Sequence, residues 1–305
     1  MILCIALLVG SLALLVLSCN MFVEKAEKVG IRIGISPFII GALFVAVGTS
    51  LPELVSSIIA VHEGEPDIVI GNVLGSNIIN LLLLVSLSAF VAGKVTFSHD
   101  LMRIDIPYLL GSTMLIALMM LDGKFSRGEA VISLLCLGCY MYSCSRSKGV
   151  PALQRARLSW IDMVLFAATP VAIFFGGKWT VDQIIVLSKL SHVGMEAVSF
   201  SVVAFGTSLP EIIVSLQAAR KGKVDLILGN AVGGSIFKSF SVMGIPALIK
   251  PLPISQSIIH FCMPVSIAVS FLFVFVLLDR QVNRCEAAFM LLFYAFFILK
   301  LFQAV

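Results

Sequence analysis

The chain has 305 residues, 59% hydrophobic and only 12% charged, with a mean hydropathy of +1.09. That composition excludes a soluble globular protein and identifies an integral membrane protein. The net charge of +4 gives no sign of a nucleic-acid partner, and in a membrane protein the distribution of Lys and Arg among the loops matters more than their total.

The apolar runs are long enough to span as helices, unlike the alternating segments of an outer-membrane barrel, so the expectation is an all-α membrane protein. In chain order ten spans are predicted. Five come first: Ile2 to Val23, Gly34 to Val61, Ile68 to Ala92, Ile104 to Leu121, and Glu129 to Cys144. Five follow: Trp160 to Phe175, Val193 to Ala219, Leu226 to Ile249, Ser255 to Leu278, and Cys285 to Phe302. The start of the chain has some features of a signal peptide, and Leu17-Ser18-Cys19 resembles a lipoprotein box. No Lys or Arg precedes the apolar stretch and the run continues through Phe22, so it reads as the first span. Residues 145–159 form a polar, basic connector too short to be a domain, which divides the chain into units 1–144 and 160–305.

Fourteen Lys and Arg residues fall in loops on one side of this topology, including Lys25, Lys28, Arg220, Lys221 and Lys223, and six fall on the other. The positive-inside rule makes the first side cytoplasmic and leaves both termini outside. One basic residue, Lys238, lies within a span. His62, Glu63 and Glu65 fall on a short outer loop, Asp162 and Glu196 read as interfacial, and Trp160, Trp179 and Tyr108 read as headgroup anchors. The seven cysteines are an odd number, mostly inside apolar runs, and read as small hydrophobes. Cys136 and Cys139 have redox spacing but no second pair or nearby His.

Two stretches organise the rest: Gly48-Thr49-Ser50-Leu51-Pro52-Glu53 and its near copy Gly206-Thr207-Ser208-Leu209-Pro210-Glu211. Glu211 follows Glu53 at an offset of 158 (211 − 53), and Gly71-Asn72 recurs as Gly229-Asn230 at the same offset. Ala46/Ala204, Ser57/Ser215, Asp67/Asp225 and Gly75/Gly233 extend the match. An odd number of spans separates the copies, so the second half is predicted to be inverted relative to the first, an arrangement common in secondary transporters.

Each motif sets a carboxylate, two hydroxyls and a Pro within an apolar run, where an ionisable group is costly and marks a site. Pro lacks an N–H and frees carbonyls in the preceding turn, which a cation can satisfy. Thr49, Ser50, Glu53 and carbonyls around Ala46 make an all-oxygen set suited to Na⁺ or Ca²⁺; Thr207, Ser208, Glu211 and carbonyls near Ala204 supply the copy. The competing reading for each hydroxyl is a bond back to its own helix. In the following span Ser76 and Asn80, at i and i+4, share a face, whereas Asn77 points elsewhere, towards a neighbouring helix.

These duplicated motifs, in two five-helix halves, closely resemble the sodium/calcium exchangers of the calcium/cation antiporter superfamily, over essentially the whole chain. The resemblance implies that Glu53 and Glu211 share a calcium ion with help from Thr49 and Thr207. It further implies that Ser50, Ser76, Asn80, Ser208 and the carbonyls of Ala46 and Ala204 line sodium positions. The first spans of the two halves would slide together to alternate access. No cofactor is implied; the partners are inorganic cations and the bilayer, and a prokaryotic inner membrane is the expected location.

The second copy departs from the pattern. Gly234 stands opposite Ser76 in the alignment and Lys238 opposite Asn80. One hydroxyl is missing, for which Ser235 is a substitute candidate although it projects about 100° away. Lys238 lies about 12 residues, or about 18 Å of helix, from either end of its span, too deep to reach the interface. A partner is therefore expected, with Glu211 and Glu53 as candidates, and the ammonium is predicted to bridge them as a tethered cation. Four functions are compatible: a Ca²⁺ antiporter driven by Na⁺ or H⁺, an antiporter for another cation, a transport-inactive scaffold, or intramembrane acid/base catalysis. The last lacks a nucleophile, a His base or a metal set, and the chain reads as a non-enzyme.

Overall fold

The computed structural model describes residues 2–33, 36–64, 66–93, 95–96, 104–146, 159–190, 195–256 and 258–304. The described residues are overwhelmingly helical and group into ten helical segments. The first is α1 (Ile2–Ile33). The second, α2, is composite: Pro37–Ile39, a π-helical stretch Ile40–Val45, Ala46–Thr49 and, after a break at Ser50, Leu51–Glu63. Next, α3 runs through Pro66–Ile78, a π-helical stretch Ile79–Leu84, and Val85–Ala92. Then come α4 (Asp105–Met119), α5 (Arg127–Arg146), α6 (Trp160–Leu190) and α7 (Met195–Arg220). Helix α8 joins Val224–Phe237, a π-helical stretch Lys238–Val242 and Met243–Ile249. The last two are α9, Ile258–Cys262 (π) continued by Met263–Leu277, and α10 (Arg284–Ala304).

Among the described residues, six helices are long and apolar enough to cross a membrane, with representative segments Ala6–Gly30, Pro37–His62, Ile68–Ala92, Trp160–Thr180, Val224–Ile249 and Ile258–Leu277. Segments Ile68–Ala92 and Val224–Ile249 are the most enclosed, whereas Trp160–Thr180 is mostly uncovered. The core therefore lies around α3 and α8, and α6 lies at the periphery. Exposed apolar side chains such as Leu135, Phe275, Leu292 and Leu299 form the outer surface, as a bilayer requires.

Close packing of α2 on α8 holds the centre together. A Cβ at Gly229 would lie 2.1 Å from the Phe38 carbonyl oxygen, and one at Gly233 would lie 2.5 Å from Ala42 Cα. Only glycine permits that approach, as small-residue interfaces between membrane helices do generally. Two short antiparallel pairs tie connections together at the ends: β1 (Val95–Thr96) with β4 (Gln281–Val282), and β2 (Lys124–Phe125) with β3 (Leu252–Pro253).

Helices α1 and α6 pack side by side in opposite chain directions. Thr180 donates to Ser11 at 3.1 Å, Phe22 stacks on Phe166 with ring centroids 5.6 Å apart, and Lys25 meets Asp162 at 2.5 Å. Both continue as helix well past the predicted span ends at Val23 and Phe175. The apolar runs stop there but the helical backbone does not, and the charged turn that follows Val23 in α1 finds partners. Asp162 also lies 3.5 Å from Lys28, Lys221 binds Glu24 at 2.8 Å, and Lys223 pairs with Glu27.

Asp162, close to the start of its span, is buried and ion-paired, and Lys221 and Lys223 engage α1 carboxylates. Tyr108 is half-buried. It packs against Tyr140 (5.2 Å between centroids) and shares a hydrogen bond with Ser143 at 3.3 Å. Trp160 and Trp179 are exposed. Glu65, Lys94, Arg103 and residues 147–158 of the connector lie outside the described residues, as do the side chains of Glu63, Asp67 and Glu196.

Candidate functional site

At the centre of the molecule α2 and α7 bring the two motifs together, backed by α3 and α8. Glu53, Glu211 and Lys238 are all 0% exposed. Ser50 Oγ donates across to Glu211 Oε1 at 3.2 Å, and Lys238 Nζ lies 3.9 Å from the same oxygen. The Lys238 ammonium also donates to the Ser76 carbonyl oxygen at 3.5 Å. Glu53 lies within electrostatic reach of both Glu211 and Lys238. The ammonium is thus paired with one carboxylate and a backbone carbonyl, and no ion pair joins it to Glu53. The expected bridge between the two carboxylates is not formed, because the Lys238 side chain leans to α3 and α7.

The four motif helices are shaped differently. In the first copy the helix breaks at Ser50 (φ −86°, ψ 4°), and Pro52 falls in the opening turn of Leu51–Glu63. In the second copy Pro210 lies inside the continuous helix α7. The π-helical stretches of α3 and α8 begin at Ile79 and Lys238 and hold Asn80 and Lys238 within them. Such single-turn distortions within α-helices often fall at functional sites, where they re-aim side chains.

Each remaining candidate has a definite place. Ala46 is buried, and its carbonyl accepts from the Ser50 N–H at 3.0 Å and from Thr49 Oγ1 at 3.3 Å. Thr49 also donates to Val45 O at 2.9 Å, so both its contacts are to its own helix. Thr207 Oγ1 reaches to Asn72 Oδ1 of the other copy, at 3.1 Å. Ser76 Oγ bonds back to Val73 O at 3.3 Å. Ala204 lies in α7, and its side chain is outside the described part of that helix.

Gly234 faces the site: a Cβ there would lie 3.2 Å from Asn80 Nδ2 and 3.6 Å from Ala46 Cβ. Ser235 does not replace the missing hydroxyl. Its Oγ is turned onto Ala231 O at 2.8 Å, because its position on the helix points it away from the cavity. Asn77 Nδ2 donates to Ser239 at 2.9 Å on the neighbouring α8.

Several buried polar atoms of the cluster have no hydrogen-bond partner: both oxygens of Glu53, Glu211 Oε2, Ser208 Oγ and both side-chain atoms of Asn80. Leaving a buried polar group unpaired costs about 1–3 kcal/mol, and more when it is charged. So many at one point are tolerated where a ligand completes them. The donor set is carboxylate, hydroxyl and amide oxygen, which suits a hard cation as cargo.

The sequence motifs did not single out Asn72, Ser57, Asn230 and Ser215 as participants. Asn230 Nδ2 donates to Ser215 Oγ at 3.0 Å and to Glu211 O at 3.5 Å. Their recurrence at the 158-residue offset was the available signal. Helices α1 and α6 close over this centre: Phe22 lies 3.3 Å from where a Gly48 Cβ would be, Pro210 lies 3.2 Å from where a Gly177 Cβ would be, and Cys19 Sγ lies 4.0 Å from Pro210 O.

Comparison with known proteins gives a consistent picture. The family described as "Sodium/calcium exchanger protein" matches residues 3–145 and 161–303. The chain is 30% identical, over an alignment 342 positions long, to sodium/calcium exchanger MaX1 of Methanosarcina acetivorans, covering 97% of each chain. It is 32% identical over 267 residues to inner membrane protein YrbG of Escherichia coli, covering 82% of this chain and 81% of that one. Among solved structures it is similar to the sodium-calcium exchanger NCX_Mj, with a TM-score of 0.86, 27% identity and 97% coverage of each chain.

Proposed function

This chain belongs to the sodium/calcium exchanger protein family, a family of membrane cation antiporters, and from that premise we propose that it exchanges Ca²⁺ for Na⁺ or H⁺ by alternating access. The observation that carries the proposal is the buried pair Glu53 and Glu211 with its surrounding unpartnered oxygens. In the proposed cycle the two carboxylates share Ca²⁺, with Thr49 and Thr207 assisting. Monovalent cations take positions lined by Ser50, Ser76, Asn80, Ser208 and the carbonyls of Ala46 and Ala204.

The proposed frame is ten transmembrane helices in two inverted repeats of five, residues 1–144 and 160–305, joined by 145–159. Two features support it. The π-helical stretches beginning at Ile79 and Lys238 fall at nearly equivalent positions of the 158-residue repeat. The pairing Val95↔Val282 maps by the same offset onto Lys124↔Pro253. In this frame α1 and α6 are the sliding pair, the protein sits in a prokaryotic inner membrane, and both termini face outward.

Lys238 fixes how the site differs from a pair of equal halves. If both carboxylates are ionised, the ammonium beside Glu211 brings the cluster to a net charge of −1 and takes the role of a bound monovalent cation. This favours exchange with one fewer monovalent cation per cycle. It is also the observation behind a second reading, in which the cargo is a cation other than Ca²⁺ or the exchanger scaffold has lost transport.

The test is uptake of radiolabelled Ca²⁺ into proteoliposomes under imposed Na⁺ or pH gradients. Gradient-dependent uptake that Glu53→Gln abolishes is the expected result. No uptake from wild type under either gradient, with uptake gained in Lys238→Asp, would favour the second reading.

A further inference from the structure

The two copies use their matching polar groups differently. In the second copy Asn230 Nδ2 donates to Ser215 Oγ at 3.0 Å. The equivalent pair in the first copy is not made: Asn72 Nδ2 and Ser57 Oγ are both buried without a partner. Asn72 Oδ1 instead accepts from Thr207 of the other copy at 3.1 Å. Thr49, the counterpart of Thr207, bonds only to carbonyls of its own helix, Val45 at 2.9 Å and Ala46 at 3.3 Å.

The motif serines follow the same division. Ser50 crosses to Glu211 at 3.2 Å, whereas Ser208 Oγ has no partner and neither does either oxygen of Glu53. One set of bonds between the copies is therefore closed, Thr207 to Asn72 and Ser50 to Glu211. The set related to it by the 158-residue repeat, Thr49 to Asn230 and Ser208 to Glu53, is open.

We propose that Asn72 and Asn230 are positioning residues that hold Thr207 and Thr49 in turn as the site alternates between the two sides of the membrane. In the opposite state Asn72 releases Thr207 and donates to Ser57, while Asn230 releases Ser215 and accepts from Thr49. A threonine held by an asparagine has its proton engaged outside its own helix and keeps lone pairs for a cation. The exchange conserves the number of bonds, since the orphaned pair Asn72 and Ser57 becomes satisfied as Asn230 and Ser215 come apart. Two arrangements of nearly equal energy are what a bistable element requires. The inference rests on the alternating-access reading above and adds the residues that set its balance.

Ser57 and Ser215 are the clean probes, because neither belongs to the ion-ligand set and each bonds its asparagine in one state only. Spin labels placed at the exposed positions Leu17 on α1 and Phe275 on α9 report the movement of α1 against the core by pulsed distance measurement. Ser57→Ala is expected to raise the population of the state described here about fivefold, the worth of one net hydrogen bond. Ser215→Ala is expected to lower it about fivefold, and the double variant to return to the wild-type ratio. In an Asn72→Ala background Ser57→Ala is expected to have no further effect. Shifts of the same sign, no shift in either variant, or one unchanging distance in all of them would overturn the proposal. The distances require no transported ion, so failure of Ca²⁺ uptake would count against the transport reading and leave this test standing.

Discussion

The first copy of the motif is broken and unpaired at its carboxylate, whereas the second is continuous and anchored. Helix α2 is interrupted at Ser50 and both oxygens of Glu53 are without a partner. Helix α7 runs straight through Pro210, and Glu211 is engaged by Ser50 and Lys238. The same six residues thus give two local structures in different surroundings. Asn80, the residue aligned with Lys238, keeps both its polar atoms without a partner. Lys238 instead carries a charge that has to be neutralised, which Glu211 does; an unpaired Lys at the bilayer centre costs about 2.5–3.5 kcal/mol. Gly234 and Lys238, which stand where the first copy has Ser76 and Asn80, make the two copies unequal.

The largest expected effects come from the carboxylates. Glu53→Gln should reduce ion uptake at least a hundredfold with little loss of thermal stability in detergent, because no ion pair depends on it. Glu211→Gln should abolish uptake and also destabilise the fold by about 3–5 kcal/mol, since it strands the Lys238 ammonium. Equal melting temperatures for the two variants would break the comparison.

Lys238→Ala tests the other partner. It should leave Glu211 uncompensated and cost about 3 kcal/mol in cation-free buffer, with stability regained as Na⁺ or Ca²⁺ is added. Thermal melting across cation concentrations measures this, and wild type should respond less steeply than the variant.

A smaller effect is expected for Gly234→Ser, which restores in the second copy the residue type of Ser76. The new Cβ would lie 3.2 Å from Asn80 Nδ2, so Asn80 has to give way, at a cost of about 1 kcal/mol. Tighter binding of a monovalent cation by calorimetry would show that the hydroxyl was the missing ligand. Smallest of all is the double variant Glu24→Gln, Glu27→Gln, which releases Lys221 and Lys223 from α1. Partly exposed ion pairs contribute about 0–1 kcal/mol each, and the loss should vanish in high salt.

The helical segments and the meeting of the two motifs were legible because apolar length and an exact repeat offset are properties of the chain itself. The identity of the Lys238 partner was legible in part. Depth demanded a carboxylate, but which one depends on how α8 leans, and that is a packing outcome. Ser235 could be placed about 100° off the site from helical geometry, yet its bond to Ala231 emerged only with the structure. The continuation of α1 and α6 as helix beyond the predicted spans was not legible, because hydropathy marks apolar length and not where a helix ends; α1 continues through a turn held by pairs such as Lys25 with Asp162. The break at Ser50 was not legible at all, since Pro52 and Pro210 occupy the same position in identical local sequence and only the first interrupts its helix.

The inequality of the halves has one direct consequence for transport: if the Lys238 ammonium stands in for a bound cation, the protein moves one fewer monovalent cation per divalent ion than a variant lacking that charge. The measurement is the coupling ratio, from the gradient at which Ca²⁺ flux in proteoliposomes reverses, for wild type and for Lys238→Asp. A ratio lower by one in wild type is the predicted result. The same ratio in both proteins would contradict the account.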